Sequence, residues 1–151
     1  MIAASMADLD GLGIIFGEKY YWDYHHVVGH NLFFGLVGSV ILAAWCRREW
    51  IMTFLVCLGL FHLHLFLDLW GSGPLWHIHY LWPIGNLILK NPYGWELYSW
   101  QNMVVYVGFL IWTAWIAWRL GRTPIEMVAP RIDQAFVQWL RKKLPVRQSK
   151  T

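Results

Sequence analysis

The sequence predicts an all-α, polytopic integral membrane protein with about three transmembrane helices, a re-entrant or interfacial segment and a basic amphipathic C-terminal helix. Three observations carry that prediction. The 151 residues are 58% hydrophobic and only 14% charged, with 12 Trp, far from the composition of an average soluble domain. The apolar runs at 50–70 and 100–120 each reach the ~20 residues that a helix needs to cross a hydrocarbon core of ~30 Å. Basic residues gather in two places: ten of the 12 Lys and Arg are Arg47, Arg48 and the eight from Arg119 onward.

Taken in order, residues 1–24 combine a glycine-punctuated DLDGLG turn with the aromatic cluster Tyr20, Tyr21 and Trp22, as an interfacial segment does. They carry Asp8, Asp10 and Glu18 and lack a basic start followed by an apolar core, so they do not read as a secretory signal. A first span is expected within 25–46, where His25, His26, His30 and Asn31 precede LFFGLVGSVILAAWC. Residues 50–70 form the second span, and Gly71, Ser72, Gly73 and Pro74 end it. Residues 75–89 are apolar but broken by His77, His79 and PIGN, which suits a re-entrant or interfacial segment. Residues 100–120 are the third span. Beyond Gly121 the chain is basic, and Ile132, Phe136, Val137 and Leu140 fall near one face of a helix suited to an anionic membrane surface. Cys46 and Cys57 read as packing residues. No nucleic-acid partner is indicated; the partners expected are the lipid bilayer and a lipid-like or small-molecule substrate.

The charge asymmetry predicts topology. With the ten basic residues inside, the C-terminus is cytoplasmic and the 71–99 loop and N-terminal segment face outward from a bacterial inner membrane. Two domains follow: 1–121, embedded, and 122–151, a basic cytoplasmic tail.

Polar residues then collect on the outer face. His62, His64 and Asp68 lie in the last third of the second span, and His64 and Asp68, four residues apart, fall about 40° apart around a helix. A carboxylate at membrane depth costs ~2.5–3.5 kcal/mol and is retained mainly where it binds something. His62, two residues from His64, faces nearly the opposite way and is expected to pack or support. His25, His26 and His30 begin the first span, and Asp8 and Asp10 add oxygens on a turn. Mixed imidazole and carboxylate ligands suit zinc, manganese or iron. Helical spacing alone pairs His26 with His30.

MADLDGLG, HHVVGHN, HLFLDLW and LWPIGN resemble the PDxD, HRxxTHS, HxxxD and later Pro-containing segments of the YdjM-like bacterial inner-membrane, metal-dependent hydrolases, over roughly residues 3–86. The resemblance implies metal positions at Asp8, Asp10, His25, His30, His64 and Asp68. Ala7 stands where the family has proline, His26 where it has arginine, and Gly29 and Asn31 where it has Thr and Ser. The family's apolar segment before PDxD does not precede this motif, as in a divergent or shortened member. The HxxxD element is also similar to that of zinc-dependent phospholipases C, which suggests phosphoester chemistry.

The expected function is therefore a membrane-bound hydrolase. One or two Zn2+ ions activate water against an ester or phosphoester, and Asp8 or Asp10 serves as base rather than ligand. Trp70, Trp76, Tyr80 and Trp82 form an apolar lip, with LWHIHYLWP as lid or substrate wall. Two other classes compete. One is a small cytochrome with haem between His30 and His62 or His64. The other is a non-catalytic adaptor acting through its basic tail.

Overall fold

The protein is described by a computed structural model over residues 2–46, 49–123, 126 and 129–144. Arg47, Arg48, Arg147 and Lys150, which enter the charge count, lie outside the described residues. The described chain is mostly helical.

Two compact units divide it, residues 1–99 and 100–151.

In the first unit, α1 (Ile2–Ser5), a 3₁₀ segment (Ala7–Phe16) and α2 (Glu18–Tyr24) precede α3 (Leu32–Trp45) and α4 (Trp50–Gly71). The 3₁₀ geometry has consequences for DLD. At about three residues per turn, positions two apart point to different sides, so Asp8 and Asp10 diverge. Ala7, just before them, is fully buried with Met6 against Phe61, Leu65 and Ile78, which fixes this segment beside the second half of α4.

α3 is shorter than the apolar run containing it. Asn31 starts it: its Oδ1 accepts the Phe34 N–H at 2.8 Å, while its Nδ2 donates to the Val27 carbonyl at 2.9 Å and the Val28 carbonyl at 2.6 Å. The 14 residues that follow reach ~21 Å, short of a ~30 Å hydrocarbon core. Among the described residues, two helices are long and apolar enough to cross a membrane, Trp50–Gly71 and Trp100–Leu120. Few residues of either helix are buried, unlike the core helix of a water-soluble domain.

α3 and α4 pack through complementary stripes. α3 buries Gly35, Ser39 and Ala43, one residue in four, and α4 buries Cys57, Phe61 and Leu65 at the same spacing. A Cβ at Gly35 would collide with the Phe61 ring. Small residues permit that approach, and close van der Waals contact stabilises such helix pairs when lipid surrounds them.

Residues 75–89 contain no helix. Their short strands β1 (Ile78–His79) and β2 (Ile88–Leu89) pair antiparallel, with Ile78 opposite Leu89. The segment is anchored inward by the buried Ile78, by the Leu32 N–H bonded to the Tyr80 carbonyl at 2.8 Å, and by the His79 N–H bonded to the His26 carbonyl at 3.3 Å.

In the second unit, α5 (Trp100–Leu120) is followed by α6 (Pro130–Lys143). Asp133 Oδ1 accepts the Thr123 N–H at 2.8 Å and the Thr123 hydroxyl, and the Arg141 guanidinium donates to the Trp118 and Arg119 carbonyls at 3.3 and 3.4 Å. These contacts correct the expected apolar face. Val137 lies buried with Asp133, whereas Ile132, Phe136 and Trp139 form the exposed stripe.

Candidate metal centre

His30 is the hub. Its side chain is fully buried, and the two aspartates of the 3₁₀ segment stand at its two nitrogens. Asp10 Oδ2 lies 3.0 Å from Nδ1, and Asp8 Oδ1 lies 3.8 Å from Nε2. The divergence of positions two apart in a 3₁₀ helix produces this clasp.

Asp10 is saturated. Its Oδ2 also accepts the backbone N–H groups of Gly29 at 2.9 Å and His26 at 3.1 Å, and its Oδ1 meets His25 Nδ1 at 2.8 Å. Burial by itself would raise the Asp10 carboxyl, but hydrogen bonds from His25 and His30, the charge of His30 and the Gly29 N–H together hold it well below the usual carboxylate range. An ionised carboxylate only accepts hydrogen bonds. Both histidines therefore present Nδ1–H to Asp10, and Nε2 of each is left as the site for a second proton or a cation.

The last third of α4 completes the cluster. His64 Nε2 lies 3.2 Å from Asp8 Oδ1 and 3.1 Å from Asp68 Oδ2, and His30 Nε2 lies 3.2 Å from the same Asp68 oxygen. These approaches are short, yet His30 Nε2, His64 Nε2 and Asp68 Oδ2 are buried without a hydrogen-bond partner. The four atoms cluster within short reach of one another. Zinc bonds of ~2.0–2.2 Å in a tetrahedron would space ligand atoms by about 3.3–3.6 Å, and the four measured separations straddle that value. The donor set fits a divalent ion.

Among the described residues, three groups of side chains could hold a metal ion: Asp8, His30 and His64; Asp10, His25 and His30; and His26, His30 and Asp68. All six positions implied by the resemblance thus gather around His30. The first group and Asp68 share the convergent atoms just described. In the second, the Asp10 oxygens already accept four N–H groups. The third brings in His26, which the resemblance had passed over. It is buried with its Nδ1 unpartnered, lies in the left-handed backbone region at φ 68°, and stacks its ring on His30 at 4.2 Å. The spacing of His26 and His30 was the available signal, although no helix joins them.

Gly29 explains the close fit of the two segments. A Cβ there would overlap the Ala7 carbonyl and come within 3.0 Å of Asp10 Cγ. The threonine of the resembled family would not fit this packing. Asn31, in place of serine, keeps the helix-capping role.

His62 spends Nδ1 on the Leu58 carbonyl at 2.8 Å and Nε2 on the Tyr80 hydroxyl at 2.9 Å. It ties β1's end to α4 and stands outside all three groups. His77 and His79 also stand outside them; with His25 they line a cavity of about 490 Å³. Leu75 and Trp76 of LWHIHYLWP contribute to its wall. The proposed aromatic lip is otherwise different: Trp70 packs on Phe66 and Trp95, Tyr80 is held by His62, and Trp22 and Asp23 of α2 take the place at the cavity.

No family model, curated protein or solved structure matches this chain.

Proposed function

We propose that the chain is a membrane-bound, zinc-dependent hydrolase acting on an ester or phosphoester, in keeping with the resemblance to the YdjM-like hydrolases. The observation that carries the reading is the convergence of His30 Nε2, His64 Nε2, Asp68 Oδ2 and Asp8 Oδ1, with the first three buried and lacking hydrogen bonds. Two carboxylates and two imidazole nitrogens so arranged repel unless protons or a cation stand between them. His30, His64 and Asp68 would hold one ion, with the Asp8 carboxylate left free to act as base.

A bound zinc ion would supply a water acidic enough to ionise near neutral pH and a positive charge for the developing oxyanion. The chain's own residues do the rest. Asp10 fixes the ring and tautomer of His30, so that Nε2 faces the cluster. Asp8, whose side chain is 53% exposed, is the carboxylate placed to take a proton from attacking water; Asp10, at 1%, is enclosed by its four donors. His25 connects this centre to the adjoining cavity.

The centre sits beside the end of α4 that carries Asp68. By the charge asymmetry that end faces the extracytoplasmic side of a bacterial inner membrane, with α6 on the anionic cytoplasmic surface. α3 would complete the third passage together with the irregular segment before it, since non-helical backbone is tolerated at membrane depth where it is buried in protein.

A cytochrome is disfavoured by geometry. The His30 and His64 rings lie 5.5 Å apart, too close to sandwich a porphyrin, and both His62 nitrogens are already engaged.

Elemental analysis of the purified full-length protein tests the proposal. Wild type is expected to carry about one zinc per chain, and His64→Ala and Asp68→Ala to lose it. Equal, negligible metal in all three would end the hydrolase reading.

A further inference from the structure

We infer that His26 is the ligand of a second divalent-metal position, bridged to the first through Asp68. The inference rests on the reading of His30, His64 and Asp68 as the ligands of a first ion and extends it to a residue outside that set.

His26 is fixed through both its backbone and its ring. It lies in the left-handed region at φ 68°, where a residue other than glycine is uncommon and stays only if its surroundings impose the strain. Here they do: its N–H donates to Asp10 Oδ2 at 3.1 Å, and its carbonyl accepts the His79 N–H at 3.3 Å. The ring is clamped between Trp76, 4.7 Å away between centroids, and His30, 4.2 Å away. Only 4% of the residue is exposed, yet Nδ1 has no hydrogen-bond partner. A buried nitrogen so placed loses its hydration without compensation, and a bound ion is a partner that supplies it.

Ligand atoms of His26, His30 and Asp68 lie within 4.8 Å of one another. Ring orientation decides whether the two histidines share an ion. An imidazole nitrogen binds metal through a lone pair in its ring plane, and these two planes are only 8° from parallel. One ion at bonding distance cannot lie in both, so His26 meets its own. The gap between the planes is no wider than the 4.2 Å between centroids, which suits the ~3.5–4 Å between the ions of two-metal sites. Asp68 supplies the bridge: Oδ2 stands at His30 and His64, which leaves Oδ1 of the same carboxylate for the second position.

Arginine, which the resembled hydrolases carry at this place, has no lone pair to offer a cation, so the second position belongs to this chain's own sequence. With two protein ligands against three it is the weaker one, and it keeps room for water or a phosphoryl oxygen. A second ion supplies charge for the leaving oxygen of an in-line displacement.

Equilibrium dialysis of the metal-free, detergent-solubilised full chain against zinc, read by elemental analysis, tests the position. Wild type is expected to bind two ions, the second about tenfold or more weakly than the first. His26→Asn, whose side chain tolerates the left-handed region, should weaken the second ion by about tenfold or more and hold the first within about twofold. His26→Phe, which keeps a ring between Trp76 and His30 but no nitrogen, should do the same. Manganese at both positions should give an exchange-coupled electron paramagnetic resonance spectrum in wild type and the spectrum of isolated ions in the variants. A single ion in wild type, a second ion that either folded variant retains at wild-type affinity, or two uncoupled ions would overturn the inference and leave the first position standing. A wild type that binds no zinc would overturn the hydrolytic reading as well.

Discussion

Asp10 Oδ2 lies 3.0 Å from His30 Nδ1, on the side of the imidazole away from the convergent atoms. A carboxylate behind a ligating histidine fixes its orientation and raises its basicity, and losing such a partner costs about 10–100-fold in metal affinity. Asp10→Asn should therefore retain zinc while binding it roughly that much more weakly in a chelator competition. Equal affinities for wild type and Asp10→Asn would show that Asp10 does not position His30.

Gly29 should tolerate no side chain. Alanine there would overlap the Ala7 carbonyl, and relief requires moving the backbone that carries Asp8 and Asp10. Gly29→Ala is expected to lose zinc and to unfold ~1–3 kcal/mol more readily. Gly59→Ala is the control, because its added Cβ meets nothing within 4 Å. Thermal unfolding and zinc content, measured on both variants, check this; wild-type behaviour of Gly29→Ala would mean that the two segments are not packed this closely.

The Asp10 carboxyl also makes acid stability predictable. Its folded pKa lies below the ordinary value of 3.8. Stabilisation is thus fully present above that ordinary value and is lost as the pH falls toward the folded one. Thermal unfolding of metal-free wild type should show a stability advantage over Asp10→Asn at about pH 6 that narrows below about pH 5. A constant gap across that range would remove the ionised, hydrogen-bonded Asp10 from the account.

These residues differ in how openly the sequence declares them. His64 and Asp68 were legible because an intact helix converts a spacing of four into a shared face. Asp8 and Asp10 were recognisable as oxygen donors, but their different roles depend on 3₁₀ phase, which residue types alone do not specify. The first apolar run looked long enough to consider as a span because hydropathy does not register a cap; Asn31, fastened to Val27 and Val28, starts α3 late. His26 was harder still. Its approach to His30 follows from a left-handed turn held by Asp10 and His79, two contacts distant in sequence.

α6 carries the last prediction. Its bonds to Thr123, Trp118 and Arg119 all reach the end of α5, while Asp133 and Val137 take the buried side. Ile132, Phe136 and Trp139, spaced by four and three residues, remain exposed, and Arg131, Arg141, Lys142 and Lys143 lie on the same helix. An apolar stripe with basic neighbours buries into the headgroup boundary, and each cation near an anionic surface adds ~1 kcal/mol. Hydrogen exchange of full-length protein in nanodiscs should show α6 more protected in phosphatidylglycerol than in phosphatidylcholine. Replacing Ile132, Phe136 and Trp139 together by serine should abolish that difference while leaving α5 protected. Equal protection of α6 in both lipids would mean that its basic residues do not meet the bilayer, and would remove the support that this helix gives to a cytoplasmic C-terminus.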